Sequence, residues 1–219
     1  MEKTYNDVLY KLSNGRWTAD CCQNMNIVEL DIPAYIDGHP VVSISDFAFQ
    51  SCMSLKRVQI PETVNEIGFL AFAHCPNLTK FFSKSECLTV GPSGFLKCSS
   101  LKSFHTTGTI LIKGNAFSGC TELCHVEGCI TSLDKWAFNQ CNSLRTLHFG
   151  KTIKYFSMLG VMYAGIQELW FDGDIPEIQD NPDMEVLQQF LWVGDPDSNV
   201  MELVHLGFRV ITKQDKTTL

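Results

Sequence analysis

Ten cysteines and six histidines are the obvious candidates for metal or redox chemistry in this 219-residue chain. Cys124 and Cys129, with Cys21-Cys22 far away, lack the paired Cys-x-x-Cys spacing that holds zinc. Asp195, Asp197 and Asn199 imitate the start of a calcium loop. That loop needs glycine at its sixth position and glutamate at its twelfth, and Val200 and Leu206 stand there instead. There is no P-loop, no His-Glu-x-x-His and no nucleophile elbow. Serine, histidine and aspartate occur, but no spacing among them proposes a triad. The residues therefore point away from an enzyme, a cofactor or a resident metal.

Five of the cysteines are spaced too evenly for chemistry to be the reason. Cys52, Cys75, Cys98, Cys120 and Cys141 follow one another at intervals of 23, 23, 22 and 21 residues. Three residues before each stands Phe49, Phe72, Phe95, Phe117 or Phe138, preceded by Ala48, Ala71, Gly94, Ala116 or Ala137. Three residues after each comes Leu55, Leu78, Leu101, Leu123 or Leu144, then an apolar residue at Val58, Phe81, Phe104, Val126 or Leu147. Ile44, Ile67, Val90, Ile112 and Leu133 complete the register. Such self-similarity at a short period is the signature of a repeat architecture. Weaker copies extend it upstream to Val28 and downstream to Val193, where Leu191 and Val193 fall 22 residues beyond Leu169 and Phe171.

Each unit carries one short run, Leu55 to Ile60 in its best copy, whose alternation puts Val58 and Ile60 on one face and Arg57 and Gln59 on the other. One unit cannot hide its apolar face. Stacking the units sets strand beside strand about 4.8 Å apart and yields a continuous parallel sheet. The expectation is a right-handed solenoid of seven to eight turns, with short irregular or 3-10 segments opposite the sheet. The alanine column marks a close approach between turns. The cysteine column reads as a buried thiol ladder, because free cysteine behaves as a small hydrophobe. On that reading Cys75→Ser costs about 1–3 kcal/mol by burying a hydroxyl without a partner.

Both tips of such a coil need closing. Residues 1–27, with Tyr5, Val8, Tyr10, Leu12 and Trp17, are expected to form an N-terminal cap built as a hairpin or strand pair. Residues 28–193 hold the repeats. Residues 194–219 are expected to form a C-terminal cap: a turn at Gly194 to Asp197, a helix capped by Asn199 and ended by Gly207, a strand from Phe208 to Ile211 and a polar tail.

The unit Ile-x-x-x-Ala-Phe-x-x-Cys-x-x-Leu-x-x-Val-x-Ile-Pro, from Ile44 to Pro61, resembles the BspA-like class of leucine-rich repeat. The opening Ile36-Asp37-Gly38-His39-Pro40-Val41 and the closing Leu191-Trp192-Val193 are similar to that family's ends. The resemblance implies a leucine-rich solenoid, often on bacterial surfaces, with protein or matrix binding in some members. It implies no common catalytic residues.

Binding by such a solenoid uses the outward side chains of the sheet, which fall into two rows. One runs Glu29, Arg57, Lys80, Ser103, His125, Thr146, Glu168; the other runs Asp31, Gln59, Phe82, His105, Glu127, His148, Trp170, and one further turn adds Phe190 and Trp192. The expected partner-binding residues are Arg57, Phe82, His105, His125, Glu127, His148, Trp170 and Trp192. Rings presented to solvent are the usual anchors of an interface. The plainer reading of Phe190 and Trp192 is packing under the cap. His105, Glu127 and His148 in adjacent turns combine zinc-type ligands, or are simply polar residues on a solvated face.

The leading expectation is a non-catalytic module that binds a protein or a glycan. A structural or self-assembling unit is the alternative, and a metal-dependent hydrolase using the histidine row is the third reading. With a net charge of −7 and scattered lysines and arginines, there is no electrostatic footprint for nucleic acid. No apolar run reaches the roughly 18 residues of a membrane span. The polar N-terminus places the chain in the cytoplasm, or at the cell surface if an export signal has been removed.

Overall fold

The computed structural model describes residues 1–175, 180, 188–195, 198–199 and 209–213. It shows a β-solenoid of parallel coils. The N-terminal strands β1 (Glu2–Tyr5), β2 (Val8–Ser13) and β3 (Arg16–Cys22) form an antiparallel meander. Strand β3 then lies parallel to β6 (His39–Ile44), which follows β4 (Glu29–Asp31) and the short hairpin strand β5 (Tyr35–Ile36). The remaining strands are β7 (Arg57–Ile60), β8 (Glu66–Ile67), β9 (Lys80–Ser83), β10 (Cys87–Val90), β11 (Ser103–Ile112), β12 (His125–Leu133), β13 (Thr146–Phe149), β14 (Tyr155–Phe156), β15 (Glu168–Phe171), β16 (Leu191–Gly194) and β17 (Arg209–Thr212).

Two walls of the coil are sheet. One is the expected recognition face, running β4, β7, β9, β11, β12, β13, β15, β16, β17. The other runs β3, β6, β8, β10 and the second halves of β11 and β12, then β14. The side opposite the recognition face is closed by turns rather than helix. The one helical segment described along its whole length is the 3-10 turn Met158–Gly160.

The repeat motif explains those turns. Within Ser45–Cys52, i→i+3 bonds run from Ala48 N to Ser45 O and from Cys52 N to Phe49 O. Phe47 and Ser51 adopt φ of 60° and 59°. That left-handed conformation recurs at Leu70 and His74, Ser93 and Lys97, Asn115 and Gly119, Trp136 and Gln140. The alternation aims the intervening N–H groups along the coil axis. Phe49 N bonds to Ala71 O, Phe72 N to Gly94 O, Phe95 N to Ala116 O and Phe117 N to Ala137 O. The turn corner is thus a hydrogen-bonded ladder, which satisfies backbone that burial would otherwise leave unpaired. At Gly94, the glycine member of the alanine column, the tight contacts come from its own turn: a Cβ there would stand 3.1 Å from Gly91 O and 3.3 Å from Val90 Cγ1. The nearest atom of the preceding coil, Ile67 Cγ2, would stand at an ordinary 3.7 Å.

Inside, Phe49, Phe72, Phe95, Phe117 and Phe138 form one stack, with successive ring centroids 5.2, 5.2, 5.3 and 5.3 Å apart and planes within 10°. Phe81 and Phe104 meet this stack edge-on from the sheet face. The five cysteines beside it are buried and all ten are free thiols. The thiols are more than space fillers. Cys75, Cys98, Cys120 and Cys141 donate to the carbonyls of Phe49, Phe72, Phe95 and Phe117 at 3.1, 3.0, 3.2 and 3.1 Å. A serine at Cys75 would therefore find an acceptor, which revises its expected cost to the low end, about 1 kcal/mol.

Candidate functional site

The strand register carries most of the expected outer rows. Arg57 faces Glu29 across the ladder, and Gln59 faces Asp31. The Arg57 guanidinium bonds to Glu29 Oε2 at 3.1 Å and Asp31 Oδ2 at 3.3 Å, and it touches Gln59 Oε1 at 3.3 Å. This cluster is exposed enough for solvent to weaken it, and its effect is to tie the guanidinium to the neighbouring strand.

One strand further along the row the ions give way to rings. Phe82 lies in register with His105, and their rings stack at 4.8 Å with planes 7° apart. His105 Nδ1 stands 2.5 Å from Glu127 Oε2 on the next strand. Phe82, His105 and Glu127 therefore form one continuous contact, and exposed His125 lies two residues from Glu127 on the same strand.

The row then breaks. Between β12 and β13 the register pairs only Ile130 with Phe149, so Glu127 is not set opposite His148. The cause lies one strand earlier. From His105 to Thr109, four residue steps of β11 match only two of β12, from Glu127 to Cys129, and Gly128 takes φ 134° at the bulge. Val126, expected in the buried column, is only half-buried as a result. His148 instead stacks on Trp170, 5.0 Å away with planes 20° apart, and the Trp170 indole N–H donates to Glu168 Oε2 at 3.1 Å. Among the described residues no three His, Cys, Asp or Glu side chains are grouped to hold a metal ion, so the histidine row divides into two ring pairs.

Trp192 requires a correction. It sits opposite Leu169, 23 residues on, and Val193 opposite Trp170. That one-residue difference from the expected 22 turns the strand over. Trp192 is fully buried and stacks on Phe171 at 5.8 Å; Phe190 is buried as well. Both belong to the core. Leu191 takes the outward position instead, in line with Glu168 and Arg209. With Gln167 and Gln189 these residues line a cleft of about 350 Å³. Sequence reading missed it because the cleft depends on that shifted register.

At the C-terminal end, the returning strand is present as β17, while the expected helix and the polar tail lie outside the described residues. Asn199, expected as that helix's cap, has its carboxamide bonded to both the N–H and C=O of Ile175 at 2.7 and 2.9 Å, a tie to the coil before.

Stacked parallel coils, a phenylalanine ladder and an open strand face define a leucine-rich repeat solenoid. The chain belongs to the BspA-type leucine-rich repeat family, whose repeat matches residues 18–129 and 122–181 in six copies. In fold it is similar to a leucine-rich repeat protein of T. pallidum, with 19% identity over 96% of this chain and 98% of that one, at a TM-score of 0.57. It is also similar to a leucine-rich cell surface protein of Faecalibacterium prausnitzii, with 17% identity over 89% and 73% of the two chains, at a TM-score of 0.51. No curated protein matches it. No helix among the described residues is long and apolar enough to cross a membrane.

Proposed function

We propose that this chain is a non-catalytic recognition module that binds a protein or glycan partner through the sheet face. The observation that carries this reading is the pair of ring stacks on the outer rows. Phe82 on His105 and His148 on Trp170 are held by neighbouring strands, and each pair is tied to a carboxylate. Rings fixed before a partner arrives lose little side-chain entropy on binding, so their contact area converts efficiently into affinity. Arg57, His125 and Glu127 add polar contacts beside them.

The test is capture of partners from extracellular matrix proteins and a glycan array by the immobilised chain. Trp170→Ala is expected to abolish capture while circular dichroism shows the coil still folded, the half-buried indole contributing about 1–2 kcal/mol through its stack on His148 and its bond to Glu168. Capture undiminished by Trp170→Ala and by Phe82→Ala together would end this reading. Light scattering separates the alternative: a concentration-dependent dimer that Trp170→Ala dissolves would mark the same rings as an assembly surface.

A further inference from the structure

Glu168, Leu191 and Arg209 lie side by side in register on the last three strands of the sheet face. The cleft they line with Gln167 and Gln189 is about 350 Å³, at the small end of ligand sites. It has room for one substituted sugar ring rather than a folded segment. Among the described residues, the Arg209 guanidinium and the Gln167 and Gln189 carboxamides take part in no side-chain hydrogen bond or ion pair. Three polar side chains thus line one concavity without a side-chain partner among the described residues. Glu168, by contrast, accepts a hydrogen bond from the Trp170 indole N–H.

The chemistry of that set is specific. A guanidinium matches a carboxylate through two parallel hydrogen bonds. Carboxamides both donate and accept, as vicinal hydroxyls and an N-acetyl group require. Leu191 offers an apolar floor to ring C–H groups or an acetyl methyl. The chain's net charge of −7 opposes a densely charged polyanion and tolerates a single acid group.

We infer that this cleft binds one acidic sugar unit at the end of an oligosaccharide, with its carboxylate on Arg209 and its hydroxyl or acetamido groups on Gln167 and Gln189. The inference rests on the reading of the sheet face as a recognition surface and names the ligand for one end of it.

The experiment is an NMR titration of the isotope-labelled full chain with 3′-sialyllactose, against lactose as the neutral control. Saturable shifts with sialyllactose are expected, with lactose weaker by at least about tenfold, the cost of losing a charged hydrogen-bond pair. Arg209→Ala should weaken sialyllactose binding by a similar factor, and Gln189→Ala by severalfold, with unchanged melting temperatures because both side chains are exposed. Equal binding of lactose, or indifference to Arg209→Ala, would overturn the assignment. So would a short peptide with a free C-terminal carboxylate that competes as strongly as the sugar, which would assign the cleft to chain ends. If Trp170→Ala abolishes partner capture while sialyllactose leaves the spectrum unchanged, the recognition face stands and the acidic-sugar assignment falls.

Discussion

The central coils and those after Gly150 share one outline and differ at the corner opposite the sheet face. From Phe49 to Cys141 that corner is a ring stack flanked by thiols that bond back to the preceding coil. In the following coil Met158, in the 3-10 turn, and Val161, at its C-cap, are buried there instead. The backbone ladder nevertheless continues, with Phe138 N bonding to Gly160 O and Gln140 N to Tyr163 O. The outer face shows the reverse trend. Its first strands carry an ion cluster around Arg57, and its last carry Trp170 and the polar cleft. Repetition supplies the stack that holds the coil closed, and departure from repetition supplies the differences between the two ends of the outer face.

The largest expected effect breaks that comparison inside the core. Phe72→Ala removes a ring stacked on both Phe49 and Phe95 and should cost about 3–5 kcal/mol in urea denaturation, against about 2–4 for Met158→Ala in the eroded corner. Equal costs would mean the stack contributes nothing beyond buried area. The two C-terminal tryptophans sharpen the same contrast. Trp192→Ala should cost about 3–5 kcal/mol, whereas Trp170→Ala, removing a half-buried ring with one stack and one hydrogen bond, should cost about 1–2. Reversed values would return the strand to the register first expected from the sequence.

Alkaline titration probes the thiol ladder. Burial pushes the Cys141 thiol up to about 12 and holds Cys120 well above the ordinary range. An unfolded thiol ionises near about 8.5. Because the folded values are raised, the stabilisation is complete below that pH and is lost progressively as pH rises toward about 12. The melting temperature should fall across that window, less steeply in Cys141→Ala. An identical slope in the variant would count against a shifted thiol.

Two small effects close the series. Cys75→Ser should cost about 1 kcal/mol, since Phe49 O remains as an acceptor. Tyr10→Phe should gain up to about 1 kcal/mol, because the buried Tyr10 hydroxyl has no hydrogen-bond partner among the described residues. A loss on removing that hydroxyl would reveal a partner for it.

Most of the coil was legible before folding, because periodicity is a property of residue spacing. The phenylalanine, cysteine and leucine columns each mapped onto equivalent inward positions. The pairing of Phe82 with His105 and of His148 with Trp170 followed from the same register. Trp192 and the continuity from Glu127 to His148 were misplaced for one reason: both depend on a bulge or an extra residue in a coil. Alternation gives no warning of such an insertion, and a shift of one residue reverses every side chain after it.

The order of apolar columns decided by itself that this chain would stack into coils, since no unit of 21–23 residues can bury its own apolar side. Only the tertiary structure decided which polar groups share a surface. The distance between Gln167, Gln189 and Arg209 along the chain says nothing of the cleft they line; three adjacent strands bring them there.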